Sequence, residues 1–346
     1  MKAGFSVWLE ENGRFIAGEK EASILRGIRK FGSIMATAKS LGMTYAHVWN
    51  EIEELSKRVG KPVVSAYRGG EAGGGTRLTK EGEQLLQEYL MLEEKVSNFM
   101  GASKEYVFKE IRNPDLSIIG SSCPGIKILA DLIKGISTEV VEVGSSAGLT
   151  AVMLGEADIA GMHLYDTERK TYNEEAIRKV WPSGAAVLIR GYIREQGLML
   201  KKGNPKKVKS LEDAIQKKVR IVNRNLGSGT RELLDRLLKE RIIQPENVRG
   251  YDFEVRTHEE VAKALNDGKA DIGLGLKAVA RVFNLEFVKI CDEHFDFLCE
   301  KRRLQKPAVK AFIDALKSEE FKAELEKRAP GIKAVKGTGE ILEIKA

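Results

Sequence analysis

The 346-residue chain is 42% hydrophobic, enough for the cores of two or three domains. No stretch approaches the 18 or so uninterrupted apolar residues of a membrane span, and the opening MKAGFSVWLEENGR carries acids where a secretory leader needs an apolar core. Three distant cysteines (Cys123, Cys291, Cys299) suit a reducing compartment better than a disulfide framework, and four scattered histidines assemble no zinc spacing. The expectation is a cytoplasmic protein with no membrane segment, metal or cofactor.

The formal net charge is +7, and its distribution matters more than its total. From Arg26 to Lys80 there are ten Lys or Arg against four Glu, a local balance of +6, whereas the first 25 residues are slightly acidic.

In chain order, Phe5 to Gly18 reads as a hairpin turning at Asn12-Gly13. A helix is predicted from Glu21 to Phe31. Apolar residues at Ile34, Ala38 and Leu41 then recur at helical spacing, Gly42 breaks the pattern, and a second run follows through Ala46, Trp49, Ile52 and Leu55. Two short helices around a glycine turn make a helix-turn-helix, with Thr44 as the cap of the second. The exposed start of that helix is expected to carry Thr44, Tyr45, His47, Val48 and Asn50, placed to reach base edges in a major groove.

Strands at Val63 to Tyr67 and Thr76 to Leu78 flank the glycine-rich run Arg68 to Thr79. This run lacks the Gly-Lys-Ser/Thr ending of a phosphate loop and reads as the tip of a β-wing, where Arg68, Arg77 and Lys80 can lie along a phosphate backbone. Thr79 caps a long helix, Lys80 to Met100, whose Leu85, Leu86, Tyr89, Leu92, Val96 and Phe99 form one apolar stripe suited to a dimer strut.

The segment from Ser23 to about Met100 resembles the N-terminal domain of the ModE family of molybdate-responsive transcription regulators. The resemblance rests on GSIMATAKSLGMTYAHVWNEI at Gly32 to Ile52 and RGGEAGGGTRLTKEGEQLLQEY at Arg68 to Tyr89. It implies a winged helix-turn-helix that binds double-stranded operator DNA as a homodimer or higher assembly, with half-sites about 34 Å apart.

Residues 101–114 read as a linker ending at Asn113-Pro114. Beyond it strands alternate with helices, the rhythm of parallel sheets wrapped on both faces, and about 230 residues of it suit two lobes hinged by crossing strands. The fold class is therefore α/β multidomain, with the winged helix-turn-helix expected over 1–100 and a two-lobed domain over 115–346.

In such sheets ligands sit beyond the carboxyl ends of strands, where backbone N–H groups open helices. Three places carry hydroxyls there: Ser121-Ser122, Ser145-Ser146, and Gly227 to Arg231 with Ser228 and Thr230. Small hydroxyl residues at helix starts donate to an oxyanion without bulk. His163 and Tyr172 are candidates for the cleft, the alternative for His163 being a satisfied structural role. Asn223 and Arg224 end a strand and are candidates for the opposite wall. Arg231 pairs either with an anion or with an acid of its own lobe.

This half resembles the solute-binding-like module of prokaryotic regulators and molybdopterin-related enzymes. The match runs from about Leu116 to Glu300, through ADIAGMHLYD, YNEEAIRKV, REQGLMLKKGNPK, VNRNLGSGTRELLDRLL and ADIGLGLKAVA. It implies a two-lobed periplasmic-binding-protein-like fold over 115–346, used as an intracellular sensor, and the expected effector is a small oxyanion, molybdate or tungstate. Nothing here resembles the small β-barrel in which ModE carries molybdate. The sequence is thus read as a ligand-responsive DNA-binding regulator and not an enzyme. The alternatives are a sensor of an organic molecule, or an enzyme or binding protein of molybdopterin-type cofactor metabolism. Cys123 has no neighbouring histidine to serve it as a base.

Overall fold

A computed structural model describes residues 5–67, 75–101, 106, 108–109, 113–181 and 184–344. The chain divides into two units: Met1–Ser117 with Thr150–Ala157, and Ile118–Leu149 with Asp158–Ala346.

The first unit opens with the hairpin β1 (Leu9–Glu11) and β2 (Arg14–Ala17). Its two turn residues, Asn12 and Gly13, sit at φ 52° and 74°, the left-handed values a two-residue hairpin turn needs. Helix α1 (Glu19–Phe31) buries Ile24, Leu25 and Ile28. Helix α2 (Ile34–Leu41) is capped by Ser33 and stopped by Gly42 at φ 68°. Helix α3 (Tyr45–Val59) is capped by Thr44, whose hydroxyl accepts from the His47 N–H at 3.2 Å.

Strands β3 (Val64–Tyr67) and β4 (Gly75–Leu78) pair antiparallel, and α4 (Lys80–Met100) follows with Thr79 as its cap. The stripe on α4 is used unevenly: Leu85, Leu86 and Tyr89 are buried, whereas Phe99 is 89% exposed and Met91 and Met100 are exposed too. The segment 101–114, expected as a plain linker, is engaged where it is described. The Tyr106 hydroxyl donates to Glu93, Arg26 lies over the Tyr106 ring, Phe108 meets Phe31 edge to face, and the Lys109 N–H donates to the Ser40 carbonyl at 3.3 Å.

The second unit is built on a ten-stranded sheet in the order Glu254–Val255, Ile221–Arg224, Ile272–Leu276, Ala186–Leu200, Glu286–Glu300, Ile159–Met162, Leu116–Gly120, Thr138–Glu142, with Ile332–Ala334 and Ile341–Glu343 also paired to Ala186–Leu200. One half comprises β5 (Leu116–Gly120), α5 (Pro124–Leu132), β6 (Thr138–Glu142), α6 (Ser145–Met153) and β7 (Ile159–Met162), the first two residues of β5 and the part of α6 from Thr150 on being counted with the first unit. A small hairpin, β8 (Tyr165–Asp166) with β9 (Thr171–Tyr172), and α7 (Glu174–Val180) follow.

The 15-residue strand β10 (Ala186–Leu200) then crosses to the other half, formed by α8 (Leu211–Gln216), β11 (Ile221–Arg224), α9 (Gly229–Glu240), β12 (Glu254–Val255), α10 (His258–Asn266), β13 (Ile272–Leu276) and α11 (Lys277–Val282). The equally long β14 (Glu286–Glu300) returns antiparallel to β10, and α12 (Pro307–Lys317), α13 (Glu319–Arg328), β15 (Ile332–Ala334) and β16 (Ile341–Glu343) close the unit. Strands β5 and β7, and likewise β11 and β13, run parallel, so each half presents helix starts at its strand ends. The far half is packed around Leu198, Ile221, Leu234, Leu238, Ile272 and Leu274.

Candidate functional site

The crossing strands supply the centre of the site. Arg194 on β10 and Glu293 on β14 are register partners, and Arg194 is wholly buried. Its Nε donates to Glu293 Oε2 at 2.9 Å, its Nη2 donates to the same oxygen, and its Nη1 donates to the Ser122 carbonyl at 3.3 Å. Gln196, two residues on and therefore on the same face of β10, donates through Nε2 to Glu293 Oε2 at 3.0 Å and to Thr230 Oγ1 at 3.3 Å.

From Glu293 the network runs into the first half of the sheet. Glu293 Oε1 lies 2.8 Å from His163 Nδ1, the His163 N–H donates to Ser145 Oγ at 3.1 Å, and Ser145 Oγ lies 2.8 Å from Ser121 Oγ. Gly229, at the start of α9, has no side chain because a Cβ there would fall 2.3 Å from His163 Cε1. One continuous chain of hydrogen bonds therefore joins the starts of α6 and α9 through the two crossing strands.

The charges follow from this geometry. Burial alone would push the Glu293 carboxyl up, but Arg194 and His163 beside it hold it well below the usual range. Burial lowers His163 despite Glu293, so at neutral pH the ring is uncharged, and its Nδ1–H faces the ionised carboxylate. His258, the first residue of α10, is lowered further by burial and by Arg224 and Arg194. Its Nδ1 and the Oε1 of Gln196 have no hydrogen-bond partner among the described residues. Burial brings Arg224 down to about 10; its Nη2 donates to the Arg256 carbonyl at 2.7 Å, its Nε has no partner, and among the described residues it forms no ion pair.

Beside this network lies a cavity of about 230 Å³ lined by Tyr165, Thr167, Tyr172, Glu232, Leu233, Arg236 and Cys291 together with His163, Gly229 and Glu293. Arg236 stacks on Tyr165, 3.9 Å from the ring centroid. Burial raises Glu232, with Asp235 and Glu293 adding to it, and pushes the Cys291 thiol up to about 11. A thiol held up in this way is a poor nucleophile at neutral pH.

A family model, the PBP superfamily domain, matches residues 127–317, more than half of the chain. The chain belongs to the PBP superfamily. Among curated proteins, this PBP-superfamily chain is 35% identical over 182 residues to YvgK of Bacillus subtilis, covering 53% of this chain and 58% of that one. It is 28% identical over 152 residues to the molybdenum-pterin-binding protein MopB of Rhodobacter capsulatus, covering 42% and 56%. It is 33% identical over 92 residues to the DNA-binding transcriptional dual regulator ModE of Escherichia coli, covering 27% and 35%. The chain thus spans between a third and three fifths of the length of these relatives.

Within the PBP-superfamily unit, the structure brings Ser121, Ser145, His163 and Thr230 into the network through their side chains and Ser122 through its carbonyl. Tyr172 lines the adjoining cavity, and Ser146 is the exposed second residue of α6. Other candidates are occupied locally. Ser228 caps α9 by accepting from the Arg231 N–H at 3.2 Å, and Asn223 donates to the Tyr251 carbonyl at 3.1 Å. Arg231 is taken up by acids of its own half, Asp235 at 3.1 Å and Glu254 at 2.6 Å, with its guanidinium over Tyr251. Sequence reasoning missed Arg194, Gln196, Glu293 and His258. The available signal was a charged or polar residue placed inside an otherwise apolar strand, as in LIRGYIREQGLML.

In the first unit the exposed start of α3 is narrower than expected. Thr44, His47 and Asn50 are exposed, but Tyr45 and Val48 are buried, a correction with a simple cause: Tyr45 stacks on Trp49 at 6.1 Å and both rings face the core. Arg77 is exposed on β4 and Lys80 opens α4 as an exposed residue, while Arg68 lies outside the described residues.

Proposed function

We propose that the chain is a ligand-responsive, DNA-binding transcription regulator of the cytoplasm that performs no catalysis. In this reading α2 and α3 form the helix-turn-helix, β3 and β4 the wing, and Thr44, His47, Asn50, Arg77 and Lys80 meet operator DNA. Two chains pair through the end of α4, where Met91, Phe99 and Met100 are exposed. Membership of the PBP superfamily and the regulators among the relatives support it.

The observation that carries the sensor is the closed network from Ser121 to Thr230. It links the two halves of the sheet and contains no nucleophile next to a free base, an arrangement suited to holding a ligand rather than transforming it. The effector proposed is a small oxyanion, molybdate or tungstate. Arg224, which has no ion pair among the described residues, and the hydroxyls at the helix starts supply donors for it, and the names of MopB and ModE point to molybdenum.

A second reading, an organic effector, is favoured by the cavity that pairs Tyr165 and Tyr172 with Glu232, since a carboxylate repels an oxyanion but accepts from ring or amine N–H groups. Calorimetric titration of the full chain with tungstate, molybdate, sulfate and a soluble pterin tests this. Stoichiometric binding of tungstate or molybdate without sulfate supports the first effector, and binding of the pterin alone replaces it with the second. A ligand can alter DNA binding only by its difference in affinity for the two states, so duplex-DNA affinity is to be measured with and without it.

A further inference from the structure

Within the first unit, the end of α1 and the wing strand β4 are one piece of structure. The Thr76 N–H donates to the Gly32 carbonyl at 2.9 Å. Gly32 caps α1 at φ 64°, and a Cβ there would lie 3.2 Å from the Tyr67 hydroxyl. Register pairs Tyr67 with Gly75 and Ser65 with Arg77, so Tyr67 and Arg77 stand on the same face of the two-stranded sheet. A pocket of about 460 Å³ opens there, lined by Arg29, Lys30, Tyr67, Arg77 and Glu83 among others, all of them in the first unit.

Three cations share this pocket with one acid, and the acid engages them loosely. Arg29 Nη1 lies 3.7 Å from Glu83 Oε2, too far for a hydrogen bond, and the two side chains are 40% and 44% exposed. Lys30 Nζ lies 4.9 Å from the Phe108 ring centroid and 5.2 Å from that of Phe31, and among the described residues neither Lys30 nor Arg77 forms an ion pair. Cations in the last turn of α1 complement its dipole, which accounts for Arg29 and Lys30 but not for Arg77, a residue of β4. The start of α2, which would otherwise draw an anion, is already filled by Glu156 of the same unit: its Oε1 accepts from the Ile34 N–H at 2.8 Å and its Oε2 from the Met35 N–H at 3.2 Å.

We propose that this pocket seats a phosphate of the duplex-DNA backbone beside the wing. Arg29 and Arg77 bring guanidinium groups, which match phosphate oxygens in pairs, Lys30 brings a point charge, and the exposed Tyr67 brings a hydroxyl donor. Glu83 opposes the phosphate by its own charge and by its hold on Arg29. The assignment rests on the regulator reading and extends the DNA-contacting surface to α1. A phosphate contact carries no base information, so these residues contribute affinity and register on the duplex rather than choice of sequence.

Because the contact is independent of sequence, a labelled mixed-sequence duplex is a sufficient probe, read by fluorescence anisotropy on the full chain across a salt series. Lys30→Gln and Arg29→Gln are each expected to weaken binding severalfold at low salt and to lower the slope of log affinity against log salt by about 0.9. Glu83→Gln is expected to tighten binding severalfold, a gain that a damaged fold does not produce. Lys20→Gln, at the other end of α1, removes the same charge and is expected to leave the slope unchanged. Unchanged slopes in Lys30→Gln and Arg29→Gln, an equal loss in Lys20→Gln, or no gain in Glu83→Gln overturns the pocket assignment while leaving the regulator reading standing. Failure of the natural chain to bind duplex DNA at low salt overturns both.

Discussion

Arg194 and Glu293 face each other across two antiparallel 15-residue strands, with two guanidinium nitrogens on one carboxylate oxygen and no solvent on the arginine. Such a pair is costly to break singly, because the survivor stays buried and uncompensated. Arg194→Met or Glu293→Gln is expected to remove about 3–5 kcal/mol from the second unit in urea unfolding, and Arg194→Met with Glu293→Leu to recover part of that loss. Additive losses in the double variant would mean that the charges do not act as a pair.

Acid should weaken the second unit well before carboxylates titrate. His163 and His258 both sit below the ordinary value of 6.5 in the folded chain, chiefly through burial. As pH falls through about 6.5 the unfolded chain takes up protons that the folded one refuses, so the unfolded state binds more protons and stability drops. The slope is at most about 1.4 kcal/mol per pH unit for each histidine. Further down, Glu293, held low by Arg194 and His163, adds a second loss below its ordinary value of 4.5. Urea midpoints at pH 7, 6 and 5 measure the first window, where His258→Gln should flatten the slope by up to about half. A flat profile between pH 7 and 5 in the natural chain would contradict it.

The two arginines around α9 should behave oppositely. Arg231 is satisfied by Asp235, Glu254 and Tyr251, so Arg231→Ala is expected to cost about 1–3 kcal/mol of stability and leave effector affinity per folded molecule unchanged. Arg224 has no ion pair among the described residues, so Arg224→Ala should cost under about 1 kcal/mol in stability yet weaken an anionic effector tenfold or more. Thermal unfolding paired with calorimetry separates the two, and equal affinity losses would show that the assignment of roles is wrong.

On α3 the buried Tyr45 hydroxyl has no hydrogen-bond partner among the described residues. Tyr45→Phe is therefore expected to change stability by no more than about 1 kcal/mol, toward greater stability, and to leave duplex-DNA affinity intact. His47→Ala with Asn50→Ala, on the exposed side, should weaken operator binding by about 1–3 kcal/mol for each lost base contact while leaving unfolding unchanged. Fluorescence anisotropy with labelled duplex reads both, and a large loss in Tyr45→Phe would return that side chain to the DNA face.

What was legible in the sequence is local. Asn12-Gly13, Gly42, Thr44 and Thr79 mark their turns and caps because each acts on backbone within a few residues of itself. Ser121, Ser145 and Thr230 stand where a strand end gives way to a helix start, which is a sequence-local event. The burial of Tyr45 was missed because periodicity places it near the helix edge, where only the neighbouring Trp49 ring decides which way it turns.

By itself the sequence determined the succession of helices and strands, the apolar faces and the hydroxyl-bearing strand ends, since propensity, capping and amphipathic spacing operate over one or two turns of chain. Only the tertiary structure decided which polar groups meet. Arg194 finds Glu293 at a separation of 99 residues, and Ile34 finds Glu156 at 122. Both pairings are set by strand register and packing, which place a buried charge against the donors able to satisfy it. No local pattern encodes that choice, because the energy that enforces it, the penalty for an uncompensated charge away from water, exists only after the chain has closed around it.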